Sequence, residues 1–439
     1  MSGGAARDRY EEVALEEGIV GLAAVLADAE VTRGTAGVIL GDTAALAVLL
    51  DGVRLARDVE DRGVLCRAYS NLIVAYECAS MPAEACAAAL EGLSLLPEYG
   101  LELAVGASLA CNAANMLIQR GEYERCAEVL AELLDGRVVQ GQALHLHLER
   151  SELRLRMGDV VAARESLGAA APLQHVDEPA VVAALAAATA EVQATEGDHE
   201  GCFRTVDEAL YRLASTQDRD FRTLLVHIGL RNEAERRGPV PGRPDPEASA
   251  RIARLAAVLA ELTPQSDDDV NHIAGHRTAR NELARAQGEG DPADWAAAVE
   301  LWRRADRPRE EAYCLVRQAE CHVAARQRGP AVTAVSMGRA IAARVGAAPI
   351  VAEADELVTR TRLSLAPAPR SPAEDRPYGL TEREYEVLVL LGTGATNRQI
   401  ARRLFISDRT VGVHVSRVLH KLQVTNRAQA AALAVKVAR

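Results

Sequence analysis

The sequence has almost no lysine and few aromatic residues. Of its 50 basic residues only Lys421 and Lys436 are lysine, and neither follows a glycine. The phosphate-binding loop of P-loop NTPases contains a Gly-Lys pair, so the sequence excludes this class of enzyme. Aromatic residues make up 3% of the chain, although 49% of the residues are hydrophobic. A core of Leu, Val and Ala favours packed helices over β-sandwiches and barrels, whose strands use aromatic and β-branched residues.

Paired cysteines and long apolar runs are also absent from the sequence. The eight cysteines form no Cys-x-x-Cys pair and lie among apolar residues of predicted helices, as reduced core cysteines of cytosolic proteins do. No uncharged apolar run reaches the roughly 18 residues of a membrane span. The acidic residues 1–17 lack the apolar region of a signal peptide. The sequence therefore predicts a soluble, cytoplasmic protein without a membrane partner.

The charges are divided unevenly along the chain. The net charge is −12, yet residues 376–439 carry eleven basic residues against four acidic ones. A basic end on an acidic body is typical of a small polyanion-binding module attached to a region that does not bind polyanions.

Two proline-rich segments, 238–246 and 364–379, divide the sequence, and each contains four prolines. Proline lacks an amide donor and disfavours helix in the residue before it, so both segments are predicted to be linkers. The predicted boundaries are a helical-repeat region at 1–237, a second one at 247–363, a linker at 364–379 and a C-terminal domain at 380–439.

A short unit recurs in the acidic body. Gly121-Glu122, Gly158-Asp159 and Gly197-Asp198 lie 37 and 39 residues apart, and a small residue stands five positions after each glycine: Cys126, Ala163 and Cys202. Ser80 with Ala85 and Gly329-Pro330 with Ala334 repeat the unit more loosely. Glycine ends one helix, the acid favours the start of the next, and the small residue lets the two approach. Such hairpins must stack to bury their apolar faces, which predicts a solenoid like that of tetratricopeptide repeats.

The basic end carries helix-start signals in quick succession. Thr381-x-x-Glu384 and Thr396-x-x-Gln399 fit the capping box, and Ser407 and Asn426 are further N-cap residues. They predict four helices over 381–391, 397–404, 408–422 and 426–437.

The second and third of these helices are separated by the three residues of a helix-turn-helix connection. The predicted core of this motif consists of Ile400, Ala401, Leu404, Ile406, Val411 and Val415. The opposite face of the third helix presents Arg409, Val413, Ser416, Arg417 and His420. Cations suit phosphates, and short or methyl-bearing side chains suit base edges in the major groove.

Residues 380–430, from LTEREYEVL to VTNRAQA, resemble the DNA-binding domain of LuxR-type transcriptional regulators without a gap. The resemblance implies that helix 408–422 reads the major groove of promoter DNA and that helix 426–437 pairs two domains in a homodimer. It implies base contacts from Val413, Ser416 and Arg417, and backbone contacts from Asn397, Arg398, Arg409, Thr410 and Lys421. Gly412 stands where the family usually has Lys or Arg, Gln399 where it usually has Glu, and Gln423 where it usually has Gly.

The body, most clearly at residues 291–347, resembles the TPR-like helical region of MalT-like and LAL-type regulators, here without their NTPase domain. The architecture, a helical-repeat body joined to a DNA-binding domain, motivates the hypothesis that a protein, peptide or small-molecule effector binds the concave face of the repeats.

The sequence predicts no enzyme. No Ser-His-Asp, Cys-His or paired-carboxylate arrangement can be argued from the spacing, so no catalytic residue and no cofactor is predicted. His272 and His276 lie four residues apart on one predicted helix face, but two histidines are too few for a zinc site, so no metal site is predicted.

The sequence thus predicts an all-α protein, with a TPR-like solenoid followed by a four-helix LuxR-type domain. The predicted function is sequence-specific, DNA-binding transcription regulation, in which the helical repeats sense an effector. The protein would be nucleoid-associated when bound, and RNA polymerase is a further candidate partner. The alternative is a protein-interaction scaffold whose terminal module docks on a protein instead of reading DNA. Target genes, the sign of regulation and the inducing signal cannot be derived from the sequence.

Overall fold

The computed structural model describes residues 20–437 except 43, 60, 80, 100–103, 136–139, 174–178, 217, 238–244, 266–268, 365–376, 405 and 407. All regular structure within these residues is helical. The prediction of an all-α fold is therefore confirmed. The chain divides into two units, Met1–Gly92 with Glu98–Ser364 and Leu93–Pro97 with Leu365–Arg439.

Seventeen α-helices precede residue 365 in the described part of the chain. They are α1 (Val20–Ile39), α2 (Ala45–Asp58), α3 (Arg62–Cys78), α4 (Pro82–Tyr99), α5 (Ala104–Gln119), α6 (Tyr123–Asp135), α7 (Gln140–Met157), α8 (Val160–Ala170), α9 (Pro179–Thr195), α10 (His199–Arg212), α11 (Arg219–Arg237), α12 (Pro246–Glu261), α13 (Val270–Gln287), α14 (Pro292–Arg304), α15 (Pro308–Ala324), α16 (Arg328–Val345) and α17 (Ala348–Thr361). From α5 to α17 each helix packs against the next one along the chain, and α3, α5, α7, α9, α11 and α13 form a series in which each member contacts the following one.

The recurring turns have the local structure that the sequence predicts. Gly121, Gly158 and Gly197 have φ angles of +75°, +87° and +81°, the left-handed conformation that ends a helix. The carboxylates of Asp159 and Asp198 then accept hydrogen bonds from the amides of Ala162 and Gly201, the third residues of α8 and α10. The small residues Cys126, Ala163 and Cys202 are all fully buried. The helical-hairpin prediction is confirmed at these three turns.

The prediction of a turn at Gly329-Pro330 was wrong. The turn lies at Arg326, which has a φ of +59°, and Gly329 and Pro330 belong to the first turn of α16. Proline is tolerated there because the first amides of a helix have no intrahelical partner. The fully buried small residue five positions after the left-handed one is Ala331. Ser80, in the other loose unit, lies outside the described residues, whereas Ala85 is fully buried.

One core continues on both sides of the first proline-rich segment. Leu230 of α11 and Leu255 of α12 belong to the same apolar cluster, which reaches from Ala183 to Ala279. Residues 238–244 of this segment and residues 365–376 of the second segment lie outside the described residues.

The hairpin array of the first unit also contacts itself over a long sequence distance. The turn between α14 and α15 and the first turn of α15 form ion pairs with three earlier parts of the chain, and α17 contacts α7. Arg307 pairs with Glu77 of α3 at 3.1 Å, Arg156 of α7 pairs with Glu310 at 3.1 Å, and Arg120 pairs with Asp306. We call these six residues the seam. The seam closes the array on itself.

The second unit contains four α-helices among its described residues from Pro377 onward: α18 (Glu382–Gly392), α19 (Asn397–Leu404), α20 (Asp408–Lys421) and α21 (Arg427–Val437). Both predicted capping boxes form. Thr381 and Glu384 exchange backbone and side-chain hydrogen bonds at the start of α18, and Thr396 and Gln399 do so at the start of α19. Asn426 caps α21 by accepting from the Gln429 amide, and Ser407 lies outside the described residues.

Candidate nucleic-acid interface

Helices α19 and α20 form a helix-turn-helix whose turn consists of residues 405–407. Of these three residues only Ile406 is described, and its amide donates to the Ala401 carbonyl at 3.1 Å. A short connection of this kind fixes the angle between the two helices, so the second can project from the domain.

The six residues predicted as the core of the motif lie in one apolar cluster. Ile400 and Val411 are fully buried, and Ala401 and Leu404 are at most 9% exposed. Ile406 and Val415 are half-buried and pack against them, together with Val387 and Leu391 of α18. The apolar side of α20 is thereby held against the domain, which turns its other side outward.

The outward side of α20 carries the three residues predicted to contact bases. Val413 is 47% exposed, and Ser416 and Arg417 are also exposed. The Ser416 hydroxyl donates to the Gly412 carbonyl at 3.0 Å, while Arg417 makes no ion pair with any described residue. An apolar tip, a hydroxyl and an unpaired guanidinium thus lie side by side. We call Val413, Ser416, Arg417 and His420 the exposed ridge.

The structure places the predicted backbone contacts in different surroundings. Arg398 is exposed and makes no ion pair within the described chain. Thr410 is half-buried, and the side chain of Arg409 lies outside the described residues. The Asn397 side-chain oxygen accepts from Arg427 at 2.7 Å. Asn397 is therefore engaged inside the domain.

Lys421 is also engaged inside the domain. Its ammonium donates to the Glu384 carboxylate at 2.6 Å and to the Gly379 carbonyl at 3.0 Å. Burial alone would raise the pKa of the Glu384 carboxyl, but the hydrogen bonds from Lys421 and the Thr381 amide outweigh it and lower the pKa. Lys421 thus ties the end of α20 to the start of α18.

Sequence reasoning missed two cations on α19. Arg402 and Arg403 are exposed, and neither makes an ion pair with a described residue. The signal was present, because Arg402 follows Arg398 by four positions and therefore shares its helix face. These two arginines add cations to the exposed surface of α19.

The structure shows the surroundings of two residues that depart from the family pattern, Gly412 and Gln423. A Cβ atom at Gly412 would meet no atom within 4 Å, so nothing in the unit requires a glycine in the middle of α20. Gln423 has a φ of +53°, the left-handed conformation in which glycine is favoured at the end of a helix. The backbone at Gln423 is therefore strained by its side chain, whereas a side chain at position 412 would have free space.

Helix α21 contributes one face to the core of the domain and leaves the other outside. Ala430 and Ala434 are buried, and Ala434 lies close to Gly392 of α18. Ala428 and Ala432 are exposed. The pairing of two domains through residues 426–437 stays a prediction.

The paired histidines of the first unit have separate partners. His272 lies 2.6 Å from the Asp220 carboxylate, and His276 contacts the Leu259 carbonyl at 3.1 Å. Among the described residues no group of three or more His, Cys, Asp or Glu side chains could hold a metal ion. None of the described helices is both long and apolar enough to span a membrane.

Comparison with known proteins places the second unit in a family. Residues 379–434 match the family "Bacterial regulatory proteins, luxR family". The chain is 49% identical over 65 residues to the uncharacterized transcriptional regulatory protein YhcZ of Bacillus subtilis. It is 46% identical over 66 residues to the DNA-binding transcriptional activator DevR/DosR of Mycobacterium tuberculosis. Each match covers 15% of this chain and 30% of the relative, so it concerns one domain of each protein.

Proposed function

Because residues 379–434 form a domain of the luxR family of bacterial regulatory proteins, we propose that this protein binds promoter DNA through α20 and regulates transcription. The observation that carries the proposal is the orientation of α20. Its apolar side is buried in the domain, and Arg417 on the exposed ridge forms no ion pair with any residue that the structure describes. A helix presented in this way can enter the major groove without unfolding its own domain.

The exposed residues divide into two sets of DNA contacts. Val413, Ser416 and Arg417 read base edges, Arg417 being suited to a guanine because a guanidinium can donate twice to its O6 and N7. Arg398 and Arg402 bind phosphates, as does Arg409 in the family pattern. Phosphate contacts position the domain and base contacts supply sequence preference.

Lys421 and Asn397 have a supporting role in this proposal. Lys421 is paired with Glu384, and Asn397 is paired with Arg427. A contact with a phosphate would compete with these hydrogen bonds. We therefore assign both residues to holding α20 and α19 in position, where the family resemblance alone implied contacts with the DNA backbone.

Selection of bound fragments from a random DNA library, followed by anisotropy titrations over a salt series, tests the proposal. We expect the logarithm of the binding constant to fall linearly with the logarithm of the salt concentration. Arg398→Ala should weaken binding to all sequences and reduce that slope by about 1. Arg417→Ala should instead relax the preference at one base position, by about 1–3 kcal/mol.

Arg204→Ala is the matched control, because Arg204 is an exposed α10 residue of the first unit and the substitution removes the same charge. It should change neither the slope nor the preference. Binding that is lost equally in Arg204→Ala and Arg398→Ala would mean that net charge, and not the α19 surface, drives the association.

The second candidate is a protein-interaction scaffold, in which the terminal module docks on a protein. Gly412 and the engaged Lys421 favour it, since both reduce the number of cations that α20 offers to phosphates. The absence of any salt-dependent binding to DNA in the titrations would select this function.

The first unit would act as the sensor of the regulator, binding a protein, peptide or small-molecule effector on its hairpin array. Two chains would pair through the exposed alanines of α21, and the bound dimer could contact RNA polymerase. Ala432→Arg tests the dimer, because a charge on this exposed small surface should shift sedimentation to the monomer. An unchanged sedimentation coefficient would place the pairing elsewhere.

A further inference from the structure

Helix α19 is held at both of its ends by arginine side chains from the helices that flank the helix-turn-helix. Arg383 lies in the first turn of α18, and its guanidinium donates to the carbonyl of Leu404, the last residue of α19. Arg427 is the first residue of α21, and one of its terminal nitrogens donates to the Asn397 side-chain oxygen at 2.7 Å. Its other terminal nitrogen donates to the carbonyl of Ala395, two residues before α19 begins. We call these three hydrogen bonds the clamp.

The contact at the end of α19 lies immediately before the turn of the helix-turn-helix. The last carbonyls of a helix have no intrahelical partner, and this helix end carries roughly half a negative charge. The Arg383 side chain is 12% exposed and forms an ion pair with Glu386 at 2.7 Å, so its guanidinium reaches the Leu404 carbonyl from a defined position. A cation in this place stabilises the helix end and fixes the point at which the chain turns toward α20.

The contact at the start of α19 is of another kind. A helix start carries roughly half a positive charge, so a cation beside it gains nothing from the helix dipole. Arg427 is half-buried there and forms no ion pair with any residue that the structure describes. Its hydrogen bonds go to two neutral oxygens, on the residues before and after the capping Thr396. Because both donors belong to one planar group, they fix the direction in which α19 starts.

We propose that Arg383 and Arg427 are positioning residues for DNA recognition, which hold α19 at the angle at which its exposed arginines reach phosphates and do not themselves touch the DNA. This inference rests on the proposed function and assigns a role to two residues that the contacts with DNA leave out. Lys421 holds the end of α20 in a similar way. Three of the eleven basic residues in the C-terminal segment are then used inside the domain.

Positioning and direct contact have different effects on the binding constant. If α19 takes its binding position for only a fraction of the time, the apparent Kd rises by the inverse of that fraction at every salt concentration. The salt slope counts the phosphates that the protein neutralises, so it stays unchanged when no phosphate contact is lost. Loss of a clamp residue should therefore change the affinity alone, whereas loss of a phosphate-binding residue should change the slope as well.

Anisotropy titrations of the full chain with the selected DNA fragment, over a salt series, test the proposal. Arg427→Met and Arg383→Met should each weaken binding about tenfold with an unchanged slope, the effect of losing a hydrogen bond from a charged group. Arg402→Met is the matched control, because it removes the same charge from an exposed position of α19 and should reduce the slope by about 1. A slope reduced by about 1 in the clamp variants would make them phosphate contacts and overturn the proposal.

Arg427→Lys separates geometry from charge. Lysine keeps the charge but has no planar fork, so this variant should keep the slope and still lose affinity. Full affinity in Arg427→Lys would overturn the role of the two paired donors.

Hydrogen exchange on the same variants separates the clamp from overall stability. The amides of α19 should exchange faster in Arg383→Met and Arg427→Met than in the parent. Ala434→Gly is the stability control, because Ala434 is buried beside Gly392 of α18 and takes no part in the clamp. It should destabilise the unit and leave the DNA affinity of the folded protein unchanged. An affinity loss that Ala434→Gly shares in full, or full affinity in both clamp variants, refutes the inference alone, whereas a parent chain that binds no DNA refutes the proposed function and the inference with it.

Discussion

The glycine in the middle of α20 offers a quantitative test of how this helix is built. Gly412 lies inside Asp408–Lys421, and a Cβ atom added there would have no neighbour within 4 Å. Gly412→Ala should therefore gain the whole difference in helix propensity, about 1 kcal/mol, without a steric cost. That difference corresponds to about a fivefold change in the equilibrium between the folded and the opened helix.

Hydrogen exchange, measured by mass spectrometry on the full chain, reports the stability of α20 against local opening. Amides of α20 that exchange by local opening should be protected about fivefold better in Gly412→Ala. Ala257→Gly is the converse control, because Ala257 is exposed in the middle of α12 and the substitution should lose a similar amount there. Reduced protection of α20 in Gly412→Ala would refute the reasoning, since it would mean that the glycine is required by a contact of the folded unit.

The same position tests the proposed function. Gly412→Lys adds a cation where the luxR family usually carries one, and it should increase the salt slope of DNA binding by about 1. Gly412→Ala should leave the slope unchanged. A loss of DNA affinity in both variants would show instead that the backbone of α20 approaches the DNA too closely for a side chain.

Three further predictions concern strain, pH and packing. Gln423→Gly should raise the free energy of unfolding by about 1 kcal/mol in urea titrations, because Gln423 occupies the left-handed conformation at a φ of +53°; an unchanged midpoint would mean that its side chain compensates. The fold lowers the pKa of the Glu384 carboxyl, so its ionised form should stabilise the second unit at pH values above about 4.3, the pKa in the unfolded state. This contribution should be lost as the pH falls through the lower pKa of the folded state. Glu384→Gln should flatten that acid dependence, and a variant as acid-sensitive as the parent would refute the role of Lys421. Ala163→Leu should cost about 1–3 kcal/mol by overpacking, because Ala163 of α8 is fully buried, whereas Val161→Leu, at a position 53% exposed, should be neutral.

Local signals predicted the second unit well. The capping boxes at Thr381 and Thr396 predicted two helix starts because the side chain and backbone that form them are three residues apart. Helix periodicity likewise separated the buried Ile400 and Val411 from the exposed Val413. In the first unit the turns at Gly158 and Gly197 were predicted because glycine marks the left-handed residue. The turn at Arg326 was missed because arginine carries no such mark.

Contacts between distant residues could not be predicted in the same way. Nothing near Lys421 in the sequence indicates that its ammonium reaches Glu384, 37 residues earlier. The contact of Lys421 with the DNA backbone, which the family resemblance implies, stays a prediction. The seam is a stronger case, because Arg307 and Glu77 are 230 residues apart. Such a pair depends on the accumulated geometry of every intervening hairpin.

Closure at the seam constrains how the first unit can change in length. An open array of hairpins tolerates the gain or loss of one unit, since each contacts only its neighbours. Here Arg156 and Arg307 meet their partners only when the intervening helices have carried the chain through the correct rotation. A duplicated or deleted hairpin between α8 and α14 would move the two edges out of register. The number of hairpins in this stretch is therefore set by geometry, and natural or engineered length variants should be confined to the segments outside it.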